Sequence, residues 1–346
     1  MKWIKKGLIF KAGGEFGWIN SHAQIPKVLV KEECLRVYFA PRPKSGESCI
    51  AMMDLDINNP SKIIHLYEKP VLEHGEEGQF DEHGVMPNWV DEIDGKVYLT
   101  FVGWSRRDSI PYSNWTGIAC SEDGGLSFKK MFQGPILDRT PYETLSGTGL
   151  MYIRENGIYY AFYANGTKWY KRNQRWDSAY EIVSAKSKDL IHLYDRNGIP
   201  ILPTRIENEA NTVPTVVKIG NKYHMWFCYR GTDDYHDGKL SYSIGYAWSD
   251  NLKNWHRDDS NAGIEKSVEG FDSKMMAYPC VVKAKDKYLM FYNGNGFGQS
   301  GFGYAELDLS GGGVWYRLGN NLLIHTNCML LSFKKNYGVR QERKVA

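Results

Sequence analysis

Apolar, aromatic-rich runs separated by polar turns recur along this chain at a regular interval. Five such runs are short and rich in aromatic and β-branched residues, a pattern that predicts strands, and they lie at 35–39, 96–101, 157–163, 222–227 and 287–292. A tyrosine marks each run at steps of about 60 residues. Each run is followed by a second predicted strand that carries an alanine: Ala51, Ala119, Ala185, Ala247 or Ala305. Self-similarity at a fixed period indicates a repeat architecture, because a single repeat cannot bury its own apolar face.

Each repeat is long enough for about four short strands with their turns. Four repeats open on a strand led by a proline, namely Pro26, Pro87, Pro214 or Pro279, whereas the third repeat has Gly147-Thr148-Gly149-Leu150. Proline cannot donate to a central ladder, so it marks the start of a strand. The pattern predicts an all-β protein, a five-bladed β-propeller with four antiparallel strands per blade. Residues 1–310 would form the propeller catalytic domain, and residues 311–346 a closing segment with a basic C-terminal tail.

Composition and charge narrow the classes of partner. The formal net charge is +3, too small to indicate binding to nucleic acid or to a membrane surface. No apolar run approaches the ~18 residues of a membrane span. The apolar stretch within the first ten residues is too short for a secretion signal, so we expect a cytoplasmic protein. The six cysteines show no C-x-x-C spacing, and we expect no metal and no cofactor. The oligomeric state is left open.

Carboxylates recur in the loops that precede the proline-led strands, which we call the leading loops. In a propeller these loops lie on one face around the central channel. Four of the five contain an acid shortly before the strand: Asp81, Glu143, Glu209 and Asp272. Cleavage of a glycosidic bond requires two carboxyl groups around one cavity, one as acid and one as base or nucleophile. We therefore predict catalytic roles for Asp81, Glu209 and Asp272, with Glu143 in reserve; the alternative is that they are solvated loop residues.

Basic side chains occupy related positions. His22 and His83 both lie four residues before a strand proline, while Arg42 and Arg230 follow the first and fourth aromatic strands. Arginine offers a bidentate fork for carboxylate or phosphate. These four residues predict a site for an anionic substrate, such as a sugar acid, a phosphate or a nucleotide-sugar. Alternatively, each arginine orients a catalytic acid and lowers its pKa.

Aromatic and amide side chains complete the predicted substrate site. Sugar rings present apolar C–H faces that stack on aromatic rings, which favours Trp104 and Trp169, although packing within the blades is the alternative for each. The amides of a Gly/Asn-rich segment could bind sugar hydroxyls. The predicted substrate-binding set is His22, Gln24, Arg42, His83, Trp104, Trp169, Asn211, Arg230, Tyr278, Asn293 and Asn295.

One further motif has a structural interpretation. The segment from Ser121 to Phe128 has the S-x-D-x-G-x-x-F spacing of an Asp-box, with Asp123 at its centre. Asp and Ser side chains bond backbone amides a few residues ahead and so close turns of this kind. We predict an outer-strand hairpin turn here rather than a ligand site.

Several segments resemble a known superfamily: Phe80-Asp81-Glu82-His83-Gly84-Val85-Met86-Pro87, Asp272-Ser273-Lys274-Met275-Met276-Ala277-Tyr278-Pro279 and Tyr292-Asn293-Gly294-Asn295. They are similar to the five-bladed propellers of arabinanases, β-xylosidases, invertases, levansucrases and mannoside phosphorylases, and to a bacterial subgroup associated with surface-polysaccharide genes. The resemblance covers residues 15–308. Two motifs depart from it, because Gln24-Ile25-Pro26 replaces the usual Asp-Pro, and Glu209 lies five positions before Pro214.

The resemblance implies a carbohydrate-active enzyme that cleaves or transfers at a glycosidic bond, in the first place a glycoside hydrolase. One alternative is a glycosyltransferase or phosphorylase of surface-glycan biosynthesis that uses an anionic donor or acceptor. Another is a non-catalytic glycan-binding propeller, which the missing aspartate of the first blade favours. The expected partner is a carbohydrate, sugar-phosphate or nucleotide-sugar substrate.

Overall fold

The computed structural model describes residues 1–172, 175–232, 234–236 and 238–310, together with the backbone of 315–317 and 323–325. Strands dominate these residues. In chain order they are β1 Lys2–Phe10, β2 Ser21–Val30, β3 Cys34–Arg42, β4 Ala51–Asp56, β5 Ile63–Leu66, β6 Gly84–Ile93, β7 Lys96–Arg106, β8 Tyr112–Ser121, β9 Lys129–Lys130, β10 Gly147–Glu155, β11 Ile158–Arg172, β12 Arg175–Ser187, β13 Leu193–Tyr194, β14 Ala210–Ile219, β15 Lys222–Arg230, β16 Ser243–Ser249, β17 His256–Arg257, β18 Ala277–Ala284, β19 Lys287–Asn293, β20 Phe302–Asp308, β21 Trp315–Arg317 and β22 Leu323–His325. Helix within the described residues is confined to a 3₁₀ turn at Asp259–Asn261 and the short α1, Asn295–Gly298, so the prediction of an all-β fold is confirmed. None of the helices described has the length and apolar character needed to cross a membrane.

The strands group into five quartets that follow the sequence repeats. Quartets 1 to 4 are β2–β5, β6–β9, β10–β13 and β14–β17, and quartet 5 consists of β18, β19, β20 and β1. Within them, each strand whose register is described is antiparallel to its neighbour. Quartets 3 and 4 share one sheet through a single parallel bridge from Tyr180 to Ala210. The five alanines of the sequence pattern all lie in third strands and are buried, where each faces the second strand of its quartet.

The fourth strand of quartet 5 comes from the N-terminus. Strand β1 lies beside β20, and buried residues Trp3 and Phe10 anchor its two ends. We had expected residues 311–346 to close this blade, but most of them lie outside the described residues. The part that is described there is a pairing of β21 with β22. The chain divides into two compact parts, Met1–Leu307 and Asp308–Ala346.

The first strand of each quartet, which we call the inner strand, has a β-bulge at its centre. The register shifts lie between Gln24 and Lys27 in β2 and at the equivalent places in the others. The residue before the proline has a positive φ in three of them: Ile25 (54°), Val213 (49°) and Tyr278 (57°). A bulge of this kind redirects side chains and raises local twist. In β10 the same place is taken by Gly149, with a φ of 69°.

The bulges turn one residue of each inner strand towards the others. We call this set the inner ring; its members are Ile25, Met86, Gly149, Val213 and Tyr278, and all of them line one cavity. The inner strands contact one another in cyclic order, β2 to β6, β10, β14 and β18, and β18 contacts β2 again. Packing at the ring is close, since a Cβ on Gly149 would lie 3.2 Å from the Cα of Val213. Glycine suits this place, because a Cβ would crowd Val213 and because side chains rarely adopt this φ.

Strand β1 offers a test of this closure. Trp3 is 4 % exposed and packs edge-to-face on Trp226, with ring centroids 5.2 Å apart. Trp3→Ala should therefore lower the free energy of unfolding by about 3–5 kcal/mol. Leu8→Ala, on the same strand but 43 % exposed, is the control and should change it by about 0.5 kcal/mol or less. Urea denaturation measures both, and equal stabilities for the two variants would contradict a closing role for β1.

Candidate active site

A cavity of about 510 Å³ lies on the leading-loop side of the inner ring. All five inner strands contribute to it. Besides the ring residues, its lining includes Gln24, Asn88, Thr148 and Thr212 from those strands, and Arg42, Trp104, Tyr112, Tyr180 and Arg230 from second and third strands. Residues from all five repeats therefore meet in one polar, aromatic-walled depression. Pockets with an apolar floor and a few converging polar groups are the usual form of small-molecule sites.

Two arginines supply the positive charge of this cavity. Arg230 is 5 % exposed; it donates to the carbonyl oxygens of Gly231 and Ser178, both at 3.0 Å. Its guanidinium lies 3.9 Å from the centre of the Tyr235 ring. Although burial alone would lower the pKa of Arg230, the surrounding tyrosines, Tyr242 first, raise it well above its usual range. The guanidinium is therefore charged at all accessible pH values.

Arg42 reaches the same cavity from the end of β3. Its Nη2 donates to Oε1 of Gln24 at 3.1 Å. Within the described residues, neither Arg42 nor Arg230 forms an ion pair with a carboxylate. The alternative interpretation, that Arg42 and Arg230 each orient a catalytic acid, is therefore wrong as far as the described residues are concerned. A buried guanidinium that meets only carbonyl groups and aromatic rings is unfavourable unless an anion joins it.

Aromatic side chains form the walls. Trp104 lines the cavity and donates from Nε1 to Oγ of Ser48 at 3.1 Å. The hydroxyl groups of Tyr112 and Tyr180 are 3.1 Å apart, and Trp169 packs on Tyr112 with ring centroids 5.1 Å apart. Flat faces with hydroxyl groups at their edges suit a sugar ring, whose C–H face is apolar and whose rim is polar.

The structure divides the predicted substrate residues into two sets. Five of them line the cavity: Gln24, Arg42, Trp104, Arg230 and Tyr278. The other six lie elsewhere and contact neighbouring chain segments: His22, His83, Trp169, Asn211, Asn293 and Asn295. The positions of these six side chains do not indicate a direct contact with a ligand in this cavity.

The two histidines are not additional cations of the cavity. Burial, and then the charge of Arg42, lower the pKa of His22 to about 4, so its imidazole is neutral near pH 7 and bonds Oγ of Ser21 at 3.0 Å. His83 lies in a separate depression beside Glu82. The expectation of four cationic groups in one place is therefore wrong, and two arginines remain.

The two asparagines of the Gly/Asn-rich segment have structural roles. Asn293 is fully buried; its amide donates to the carbonyl oxygens of Ala23 and Gly301 and accepts from the Ile25 N–H at 2.7 Å. It thereby joins quartet 5 to the bulge of quartet 1. Asn295 accepts from the N–H groups of Lys274 and Met275 and shapes the leading loop.

Several lining residues were not found from the sequence. They are Ser48, Asn114, Thr148, Tyr112, Tyr180, Thr212, His236, Tyr242 and Phe297. Only Thr148 and Thr212 had a usable signal, because they occupy the strand position of Gln24 in their own repeats. One carboxylate lies beside the cavity wall: Asp177 is 5 % exposed, interacts with the Tyr235 hydroxyl, and has an Oδ1 without a donor among the described residues.

The four predicted catalytic carboxylates do not line this cavity. Each is almost fully buried, at 0–2 % exposure, and is paired with a cation from the outer edge of its own quartet. The pairs are Asp81 with Lys130 (2.5 Å), Glu143 with Arg196 (2.9 Å), Glu209 with Arg257 (2.7 Å) and Asp272 with Lys5 (2.7 Å). We call these four contacts the loop-to-edge ion pairs. The expectation that the acids face one shared cavity is wrong, because each side chain points instead to a cation at the outer edge of its quartet.

Additional donors hold these carboxylates in place. Glu143 accepts from the Tyr163 hydroxyl at 2.6 Å, and Asp272 accepts from the Tyr292 hydroxyl at 3.0 Å. Glu209 accepts from the Asn211 amide and from the backbone N–H of Arg205 as well as from Arg257. Their recurrence at one register therefore has a structural explanation, the fastening of each leading loop to the outer strand.

The Asp-box turn forms as predicted. Asp123 accepts from the Ser121 hydroxyl at 2.6 Å and from the N–H groups of Leu126 and Ser127 at 2.9 and 3.0 Å. These bonds outweigh burial and hold the pKa of Asp123 well below its usual range. The Asp123 carboxylate therefore makes its hydrogen bonds within the turn. Elsewhere, among the residues the structure describes, no group of three His, Cys, Asp or Glu side chains could hold a metal ion.

Comparisons with known proteins agree with this fold. No protein-family model matches the chain. An uncharacterized protein of Mycobacterium tuberculosis (strain H37Rv) is 29% identical over 309 residues, which cover 89% of this chain and 100% of that protein. The β-1,2-mannobiose phosphorylase of Thermoanaerobacter sp. (strain X514) is 34% identical over 138 residues, 36% of this chain and 44% of the enzyme.

Solved structures give the same result over most of the chain. A glycoside hydrolase superimposes with a TM-score of 0.69 at 16% identity, covering 88% of this chain and 91% of its own. A structure from work on mannoside phosphorylases and glycoside hydrolases of β-1,2 mannosidic linkages has a TM-score of 0.65 at 14% identity, covering 89% and 94%. The structural neighbours are propeller-type glycoside hydrolases and the weaker sequence relatives are mannoside phosphorylases, so the resemblance found in the sequence is confirmed.

The role of the loop-to-edge ion pairs can be separated from catalysis. Removing one partner of a buried pair leaves an uncompensated charge and costs about 3–5 kcal/mol. Glu143→Gln should therefore lower the free energy of unfolding by about that amount, because Arg196 loses its partner. Glu155→Gln breaks an exposed pair with Lys218 and should cost about 1 kcal/mol or less. Urea denaturation decides: a Glu143→Gln protein of wild-type stability that has lost its activity would restore the catalytic assignment.

Proposed function

We propose that this protein is a glycan-acting enzyme that cleaves or forms a glycosidic bond with the help of an anionic co-substrate, in the first place inorganic phosphate. The observation that carries the proposal is the charge of the cavity. Two arginines line it, one of them buried, while none of the described residues that line it is a carboxylate. Hydrolysis by a pair of carboxyl groups requires the opposite arrangement.

The proposal includes a closed five-bladed propeller. Five quartets follow the five repeats, and the inner strands contact one another in cyclic order. The N-terminal strand completes the last quartet, which joins the two ends of the repeat array. Closure supports the site because it holds five inner strands, and thus the cavity lining, in fixed relation.

Phosphorolysis assigns a task to each part of the cavity. A phosphate oxygen attacks the anomeric carbon, the bond from that carbon to the leaving oxygen breaks, and the leaving oxygen takes up a proton. Arg42 and Arg230 would hold the phosphate, for which guanidinium groups are well suited. Trp104 and the tyrosine pair Tyr112 and Tyr180 would hold the sugar rings.

The leaving oxygen needs a proton donor. Burial and the neighbouring Asp177 carboxylate raise the pKa of Tyr235, so its hydroxyl keeps its proton at neutral pH, whereas Arg230 lowers this pKa. Arg230, 3.9 Å from the ring, would stabilise the phenolate that donation leaves, and solvent reprotonates it after the products depart. We assign proton donation to this pair, with Tyr235 lining the cavity and Asp177 behind it. Positioned acid groups typically contribute about 10²–10⁴-fold in rate.

A phosphorolysis assay tests the function. The relatives named as mannoside phosphorylases make β-1,2-mannobiose with phosphate the first substrate pair to try, and release of sugar 1-phosphate is the readout. Arg42→Gln and Arg230→Gln should each lower kcat/KM by about 10²–10³-fold, as loss of a preorganised charged donor does. Arg139→Gln, at an exposed arginine that packs on Trp115 outside the cavity lining, should leave the rate unchanged.

Hydrolysis at an equal rate without phosphate, unaffected by the arginine variants, would contradict the proposal. A panel of other disaccharides and of uronic acid or nucleotide-sugar substrates extends the assay to the transferase alternative, which rests on the same two arginines.

A second candidate function is glycan binding without turnover. The observation that favours it is again the absence of a carboxylate from the cavity lining among the described residues. Calorimetric binding of a glycan, with no turnover of any substrate in the presence of phosphate, would select this function. The cytoplasmic location stays a prediction.

A further inference from the structure

A second cavity, of about 810 Å³, lies on the other side of the inner ring. All five inner strands line it as well. In each inner strand, the residue two positions after the inner-ring residue also lines this second cavity. These residues form a second ring: Lys27, Asn88, Met151, Thr215 and Cys280. Asn88 lines both cavities, so the two lie on either side of one narrow level of the fold.

Lys27 is unusual in this second ring. Lys27 is only 3 % exposed. Its side chain nevertheless forms no hydrogen bond and no ion pair with any of the described residues. Lysine is almost never fully buried unless it is paired. Burial lowers the pKa of Lys27, and the Cys280 and Cys228 thiols are the groups that oppose this shift. No carboxylate contributes.

Other donors lie at the same level. Thr215 accepts the Val281 N–H with its Oγ1 at 3.1 Å, so the proton of its hydroxyl group is free to be donated. The Cys280 thiol stays protonated, because burial raises its pKa. Asn88 is 1 % exposed, and its Oδ1 has no donor among the described residues. Its Nδ2 donates to Oγ1 of Thr116 at 3.4 Å, and the Thr116 hydroxyl donates onwards to the carbonyl oxygen of Gly147, so the second N–H of the Asn88 amide is the one left for a ligand.

The charged groups at the mouth of this cavity do not neutralise Lys27. The charged residues of the lining there are Asp91, Glu92, Asp94, Arg154, Lys218 and Lys283, and neither Asp91 nor Asp94 forms an ion pair with Lys27. Glu92 is paired with Lys31, and Lys218 with Glu155. Asp91 is exposed.

We propose that Lys27, Thr215 and Asn88 form a binding site for a small monovalent inorganic anion of the halide class, held at the centre of the ring of inner strands. A buried ammonium group is strongly unfavourable without a partner of opposite charge. One positive charge surrounded by neutral donors balances one negative charge, which disfavours phosphate or sulfate. The apolar inner ring separates this anion from the saccharide cavity, so its role is to stabilise the ring and not to take part in the reaction.

Thermal unfolding in different salts tests the site. Sodium gluconate is replaced stepwise by sodium chloride or bromide at constant ionic strength. The Tm of the wild-type protein should rise with halide concentration, because a ligand that binds only the native state stabilises it by mass action. Lys27→Met should abolish the halide dependence and should be at least as stable as the wild type in halide-free buffer, since the buried charge is gone.

Two matched variants locate the effect. Lys283→Met removes an exposed cation at the mouth of the same cavity, and Arg139→Gln removes an exposed cation that lines neither cavity. Both should keep the wild-type response to halide. A wild-type Tm that does not depend on halide, or a dependence that survives in Lys27→Met, would overturn the proposal.

Diffraction gives an answer that does not depend on the folding of a variant. A crystal of the wild-type protein grown with bromide should show an anomalous peak within hydrogen-bond distance of Lys27 Nζ. Water or empty density at that place, with bromide bound elsewhere, would overturn the site even if Lys27→Met proved too unstable to study.

Discussion

The loop-to-edge ion pairs are the constraint on which the cavity depends. Each pair joins the leading loop before an inner strand to the outer edge of the same quartet. It therefore links the two opposite edges of the sheet. The pair of Asp272 with Lys5 also ties the N-terminal strand into quartet 5. A loop fixed in this way cannot swing away from the cavity that it borders. Because each carboxylate is buried and paired with a cation, the proposed function takes its reacting groups from the cavity instead.

The bulged inner strands provide the rest of the arrangement. Residues such as Val213 and Tyr278 take a backbone conformation that side chains with a Cβ rarely adopt, and strain of this kind persists only where the surroundings enforce it. Here the enforced geometry sends one apolar residue per repeat to the centre and leaves polar residues above and below it. The result is a saccharide-sized cavity with Arg42 and Arg230 on one side and a deeper cavity with Lys27 on the other.

Much of this fold could be predicted from the sequence, and less of the site. The repeat of prolines, aromatic runs and alanines predicted the quartets, because strand packing has a period that is visible in one chain. The position of the carboxylates was predicted wrongly because their partners lie far away in sequence; Lys5 and Asp272 are 267 positions apart. Strand β1 was missed since its apolar and polar residues do not alternate in the sequence: Ile4 and Leu8 lie on its exposed side and Lys5 on the more buried side. Tyr112 and Tyr180 were missed because only folding brings their strands, β8 and β12, to the cavity.

The central claim is that the cavity with the two arginines, and not the set of leading-loop carboxylates, is where a glycan and an anion meet. A crystal structure of the protein soaked with β-1,2-mannobiose and phosphate, or with a non-cleavable analogue, tests this most directly. The account predicts phosphate on Arg42 and Arg230 with a sugar ring beside Trp104. A saccharide bound with its glycosidic oxygen next to Asp81, Glu209 or Asp272, and no anion on the arginines, would contradict it.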